Sequence, residues 1–229
     1  MTSVVVGAGA WGTALAQLAA ADGEPVLIWA REEDVVIDVN ARHMNTRFLN
    51  GVTLSPALTA TTDLADAVSA AETITFVAPS HVLRAVVRSA AHAVRRDAVL
   101  IVATKGIERE SFALMTDIVA EELPGRAVVA LSGPSFAAEV AMRQPTAVVA
   151  ASRDDEAALR AQQLFSSREF RVYTHRDVTG VELGGALKNV MAVATGVLDG
   201  LGLGFNPRAA LITRGLAEMT RLGVALGAE

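Results

Sequence analysis

Short apolar runs alternate along most of this chain with longer stretches in which apolar side chains recur at every third or fourth position. Residues 4–6 (VVV) are the first such run and end at Gly7. An unbroken β-branched run of this kind predicts a buried strand. Residues 11–21 follow with helix formers at helical spacing, Asp22 and Gly23 stop them, and residues 25–29 read as a second strand, completing a β-α-β unit. The alternation continues with strands over 73–78, 98–103, 127–131, 146–151 and 170–173, and helices over 80–94, 111–122, 136–142 and 155–165. Apolar strands separated by amphipathic helices predict an α/β fold, a Rossmann-like, mostly parallel sheet with helices on both faces.

Past about residue 178 the pattern changes. Residues 181–198 form one helical run, Asn206 and Pro207 supply a helix start as cap and first residue, and helix continues to about residue 226. No strand signal follows Tyr173. The expected organisation is a first domain built on the sheet over 1–177 and an all-helical second domain over 178–229.

Composition narrows the function. The chain has 229 residues, of which 52% are apolar, enough for a sizeable core. A formal net charge of -5 argues against broad binding to nucleic acid or anionic membranes, although a local basic pocket for an anionic small molecule remains compatible with it. Cysteine is absent, which removes disulfides, thiol nucleophiles and thiolate metal sites. His43, His81, His92 and His175 show no ligand spacing, so no metal site is expected. The N-terminus lacks a basic region with a following cleavage site, and no apolar run reaches the ~18 residues of a membrane span. The greasiest stretch, 183–198, is interrupted by Lys188. These features lead to the expectation of a cytoplasmic protein, with a homodimer as the candidate assembly because apolar helices seek a partner.

The first corner carries the clearest chemistry. In VVVGAGAWGTALA, Gly7, Gly9 and Gly12 stand at G-x-G-x-x-G spacing, directly after a strand and directly before a helix. Gly7 permits a sharp exit from the strand, Gly9 lets a diphosphate approach the backbone, and Gly12 lets helix and strand pack closely. The helix start, with Ala10 and Trp11, directs free N–H groups and a positive dipole end at the phosphates. At the end of the second strand the chain reads WAREED. Arg31 there favours NADP by accommodating a 2′-phosphate, whereas Glu32, Glu33 and Asp34 keep NAD open and are also suited to opening a helix.

Lys188 is the unusual residue of the helical region. Gly184, Lys188, Ala192, Thr195 and Asp199 fall on one narrow stripe of small and polar residues, and Leu183, Leu187, Val190, Met191, Val193, Val197 and Leu198 cover most of the remainder. Small neighbours leave room for a ligand, although a lysine that snorkels to the surface fits the pattern equally well. Two further segments end strands where open α/β sheets bind ligands: ATKG with Lys105, and SGPSFAAE with Ser132, Gly133 and Ser135. Taken singly, Lys105 also reads as a solvated loop charge, Ser135 as a helix N-cap, and Ser80 of PSHV as a cap.

GAGAWGTALA, PSHV, ATKG, SGPSFAAEVA, GGALKNVMAVATGVLDG and NPRAALITRGLAEMTRLG resemble, in this order, the motifs of NAD(P)-dependent glycerol-3-phosphate dehydrogenases. The resemblance runs from Val4 nearly to Glu229. It implies an oxidoreductase that reduces dihydroxyacetone phosphate to sn-glycerol 3-phosphate with NAD(P)H, for glycerophospholipid synthesis. It also implies Lys188 as the catalytic proton-transfer residue. Trp11, Arg31 and Ala137 would contact the dinucleotide, Lys105 both ligands, and Gly133, Ser135 and Asn189 the substrate. The family extends beyond the last residue of this chain with a segment that contributes an aspartate and an Arg-Asn pair, so a truncated dinucleotide binder without turnover is one alternative expectation. A β-hydroxyacid or 6-phosphogluconate-type dehydrogenase, which also joins a Rossmann domain to a lysine-bearing helical domain, is the other.

Overall fold

The computed structural model describes residues 2–229; Met1, the first residue of the expected domain 1–177, lies outside them. The described chain runs β1 (Ser3–Val6), α1 (Ala10–Ala19), β2 (Val26–Trp29), α2 (Glu33–Arg42), β3 (Leu58–Thr61), α3 (Leu64–Ser69), β4 (Thr73–Phe76), α4 (Ser80–Ala90), β5 (Val99–Val102), α5 (Met115–Glu122), β6 (Val128–Ser132), α6 (Ala137–Ala141), β7 (Thr146–Ala151), α7 (Asp155–Phe165), β8 (Phe170–His175), α8 (Val178–Gly200) and α9 (Phe205–Ala225). The strands form one sheet in the order β3-β2-β1-β4-β5-β6-β7-β8. All neighbouring pairs are parallel except β6 with β7.

Alternation along each strand divides the core between two faces. Val5, Ile101 and Ala103 point into one cluster with Leu15, Ile28, Leu58 and Phe165. Val4, Val6, Leu100 and Val102 point into the other with Phe76, Leu83, Val87 and Ile118. Both faces of the central strands are therefore dry, which explains their unbroken apolar sequences.

Three elements escape the sequence pattern: α2, β3 and α3. LTAT of β3 lacks a β-branched apolar run; its parallel register against β2, Val26 opposite Leu58 through Trp29 opposite Thr61, makes it a strand. The helix starts differ too. Ser80 is the first residue of α4, after Pro79 at the cap position and without a side-chain capping bond. Phe136 rather than Ser135 precedes α6, and Gly204 precedes α9, so Asn206 and Pro207 lie inside its first turn. Pro207 is tolerated because first-turn N–H groups have no helical partner.

Because β7 runs against β6 and β8 runs with β7, the chain leaves β8 at the sheet edge where β6 begins. Helix α8 starts there, capped by the Asp177 carboxylate on the Gly180 N–H at 2.8 Å, and climbs alongside β6. It is long and apolar enough by composition to cross a membrane, which corrects the expectation that no stretch here reaches that length. Its Glu182 and Lys188 are simply outweighed by apolar neighbours. Polar bonds and close packing tie α8 to the sheet domain. The Glu182 carboxylate accepts the Thr116 N–H at 2.9 Å and the Thr116 hydroxyl, and Gly185 rests on the Ser132 side chain. Beyond them α8 packs on α9, with Gly215 seated against Met191, and Val190, Val193, Val197 and Phe205 are exposed.

Candidate active site

The sheet order reverses at β1, whose neighbours are β2 and β4. In an open α/β sheet this switch point, at the carboxyl ends of the strands, opens a crevice for ligands. The glycine corner lies on it. Gly7 has φ 120°, and a Cβ there would stand 3.1 Å from the Val77 and Ala78 backbone at the end of β4. Only glycine combines that conformation with that proximity. A Cβ on Gly12 would lie 1.8 Å from the Gly7 carbonyl oxygen, so the corner and α1 are in direct backbone contact. Around Gly9, in contrast, no described residue other than its chain neighbours comes within 4 Å of a Cβ position. The three glycines thus face a strand end, a helix–strand contact and open space. Ala10 and Trp11 form the first turn of α1 and pack partly against the core, and the Trp11 Nε1 has no partner among the described residues. Ala137, at the start of α6, packs against the same cluster.

Arg31 follows β2 and is 82% exposed, paired at 3.0 Å with Glu32. An exposed pair of this kind is weak, leaving the guanidinium free to exchange partners.

The carboxyl ends of β5 and β6 present the remaining polar groups. Lys105 lies just beyond β5, and its Nζ donates to the Gly133 carbonyl at 2.9 Å and to the Ser135 hydroxyl at 3.4 Å. Gly133, at φ 154°, is pressed against β7, where a Cβ would meet the Val148 Cα at 2.9 Å. On α8, Gly185 stands over Ser132 and within reach of the Lys105 side chain. Lys188 is one turn further on the same face, its Nζ 5.9 Å from the centre of the Phe136 ring, which is itself 71% exposed. Burial first, and then the nearby positive charge of Lys188, lower the Lys105 amine from 10.5 to about 8. Asn189 points to solvent.

The small-residue stripe read through Gly184 is displaced by one position. Gly184 has open space around it, whereas Glu182, Leu183 and Gly185 are the buried residues of α8. Helical spacing alone does not reveal which of two adjacent glycines meets the sheet. Nor did the pattern single out Glu182, 7% exposed with its carboxyl pushed up to about 7 chiefly by burial, or Asn45, a loop residue packed beneath the glycine corner. A glutamate in the first turns of an amphipathic helix and an asparagine in a polar loop carry no signal of burial.

A doubly wound sheet with a glycine corner at its switch point, one amine at its carboxyl edge and a second brought there by a following helix, defines a dinucleotide-dependent oxidoreductase. Family models for the N-terminus and the C-terminus of NAD-dependent glycerol-3-phosphate dehydrogenase match residues 3–158 and 177–229. A curated glycerol-3-phosphate dehydrogenase (NAD(P)+) of Geobacter sulfurreducens is 51% identical over 228 residues, 98% of this chain and 68% of the relative. The solved glycerol-3-phosphate dehydrogenase of Coxiella burnetii superimposes with a TM-score of 0.94 at 38% identity, over 100% of this chain and 70% of that one. The enzyme of Saccharomyces cerevisiae gives 0.88 at 31% identity, over 97% and 70%. The chain belongs to the NAD-dependent glycerol-3-phosphate dehydrogenase family. These matches favour that reading over a hydroxyacid or 6-phosphogluconate dehydrogenase.

Proposed function

We propose that this protein reduces dihydroxyacetone phosphate to sn-glycerol 3-phosphate, with Lys188 as the proton donor. The observation that carries the reading is the packing of Gly185, one turn before Lys188, over Ser132 and the Lys105 side chain at the carboxyl edge of the sheet, two strands from the glycine corner. Strand spacing puts that separation at about 10 Å.

The corner fits a dinucleotide diphosphate: Gly9 leaves room, and the first turn of α1 offers unpaired N–H groups to negative charge. Gly7, Gly9, Ala10, Trp11 and Gly12 would hold the diphosphate side, Ala137 and Lys105 the far end, and Arg31 the adenosine ribose. The basic side chain of Arg31 supports a preference for NADP(H), which the ratio of NADPH to NADH dissociation constants reads directly. When bound, the reduced nicotinamide supplies the hydride.

On the substrate side, Lys105, Gly133 and Ser135 offer a cation, backbone and a hydroxyl to the phosphate-bearing molecule, with Asn189 at the rim. As hydride reaches the ketone carbon, the carbonyl π electrons move to oxygen. The Lys188 ammonium gives that oxygen a proton and is left as the neutral amine; in the reverse direction it takes the proton back. Lys105 beside it stabilises, as a second cation, the negative charge developing on the same oxygen. The exposed apolar residues of α8 and α9 support a homodimer as the assembly.

The test is NADPH oxidation in the presence of dihydroxyacetone phosphate. Lys188→Ala is expected to abolish it while NADPH affinity stays at the wild-type value. A Lys188→Ala protein that keeps the wild-type rate would overturn the role of Lys188. Tight NADPH binding by the wild-type chain without any oxidation would replace the enzyme reading with binding alone.

A further inference from the structure

The loop after α2 reaches beneath the glycine corner. Asn45, only 1% exposed, donates through Nδ2 to the Ala8 carbonyl at 2.9 Å and to the Thr13 hydroxyl at 2.7 Å. Thr13, itself buried, turns its hydroxyl to the same Ala8 carbonyl at 3.2 Å. Two donors therefore grip one carbonyl oxygen from the protein side. The Ala8–Gly9 peptide is trans, so its N–H points opposite to its C=O. Holding the oxygen inward aims the Gly9 N–H outward, into the space that Gly9 leaves open, and among the described residues that N–H has no backbone partner.

The loop is braced for this task. The Asn45 Oδ1 accepts the Phe48 N–H at 3.1 Å. Next to it, the buried Asp38 accepts the Thr46 N–H and hydroxyl, each at 2.8 Å, and pairs with Arg42 at 2.7 Å. These bonds fix the position of Asn45 relative to α2, and Asn45 fixes the corner peptide. A glycine-rich turn is otherwise free to rotate its peptide planes, because glycine tolerates both signs of φ.

We infer that Asn45, assisted by Thr13, is a positioning residue for the cofactor: it orients the Ala8–Gly9 peptide so that the Gly9 N–H donates to the dinucleotide diphosphate. This rests on the dinucleotide-binding reading of the corner. The bond so aimed is charge-assisted and common to NAD and NADP, so losing its alignment weakens both alike.

The experiment combines NADPH and NADH fluorescence titrations with the Gly9 amide signal in 1H–15N spectra, on the wild-type chain, Asn45→Ala, Thr13→Val and Thr13→Ser. In the wild type the Gly9 amide proton moves downfield on saturation with NADPH. Asn45→Ala is expected to raise both dissociation constants about tenfold, the equivalent of ~1.4 kcal/mol, and to diminish the Gly9 shift. Thr13→Val does the same more weakly, whereas Thr13→Ser keeps its hydroxyl and matches the wild type. Thr13→Val carries the test if Asn45→Ala does not fold. Wild-type affinity in the folded variants, or weaker binding with the Gly9 shift intact, overturns the inference and leaves the site reading standing. A wild-type chain that binds neither dinucleotide removes the site reading, and the inference with it.

Discussion

Gly12 and Gly9 are three residues apart, yet alanine at each should fail in opposite ways. A Cβ on Gly12 would sit 1.8 Å from the Gly7 carbonyl oxygen, where real contacts do not fall below 3.0 Å, so α1 must retreat by about 1.2 Å. The obstacle is backbone and no rotamer change relieves it. That retreat loosens Ala14, Leu15, Ala16 and Ala19, all buried by α1. Overpacking of this kind costs about 1–3 kcal/mol, and the rigidity of both partners places Gly12→Ala at the upper end, about 3 kcal/mol. In a chain of 229 residues this lowers Tm by about 6–12 °C. Gly9 has φ -65° and ψ 178°, ordinary for alanine, and open surroundings, so Gly9→Ala keeps its stability within about 1 kcal/mol. Its methyl instead occupies the approach to the backbone, and NADPH affinity should fall at least about tenfold, ~1.4 kcal/mol. Thermal melts and NADPH titration of the two variants side by side make the measurement. Equal destabilisation, or Gly9→Ala binding NADPH as tightly as the wild type, would refute the division of labour among the glycines.

Three further predictions concern pH. Lys105, lowered to about 8, offers a cation to the substrate only below that pH, so the KM for dihydroxyacetone phosphate should rise as pH passes 8, and Lys105→Arg should move that rise out of the range. Between about 8 and the ~10.4 of a free lysine the unfolded chain holds the extra proton, so the Lys105 contribution to stability increases with pH there, visible in urea melts of the wild type against Lys105→Met. Glu182 has the opposite sign. Its carboxyl titrates at about 7 when folded against 4.5 ordinarily, so the folded state holds more protons across that window and stability falls as pH rises through it. The full span is on the order of 3 kcal/mol, and Glu182→Gln should flatten it in melts between pH 4.5 and 7.

Much of this was legible in the chain itself, for reasons that differ by element. The central strands were readable because burial on both faces forces unbroken apolar runs such as VVV and VLIV. LTAT of β3 was not, because an edge strand has little apolar surface to conceal. The glycine corner was readable because a Cβ on Gly12 would stand 1.8 Å from the Gly7 carbonyl oxygen, which leaves no alternative residue there. Asn45 and Glu182 were invisible for the converse reason: each is polar in sequence and buried only through partners 32 to 66 residues away, a pairing that no local pattern encodes. Lys188 stood between these cases, conspicuous on an apolar helix, with its neighbour Lys105 disclosed only by the fold.

The one antiparallel pairing in the sheet, after which β7 and β8 both run in reverse, has a consequence for how the lysine can be delivered. With β7 antiparallel, the chain departs from the floor of the sheet, and α8 must act as a ruler measured against β6. The ten steps from Val178 to Lys188 rise ~15 Å, comparable with the ~13 Å between the first and last residues of β6. A single residue inserted before Lys188 would lift the amine by ~1.5 Å and swing it by about 100°, off the catalytic edge altogether. The first turns of α8 should therefore accept changes of residue type far more readily than any change in their number.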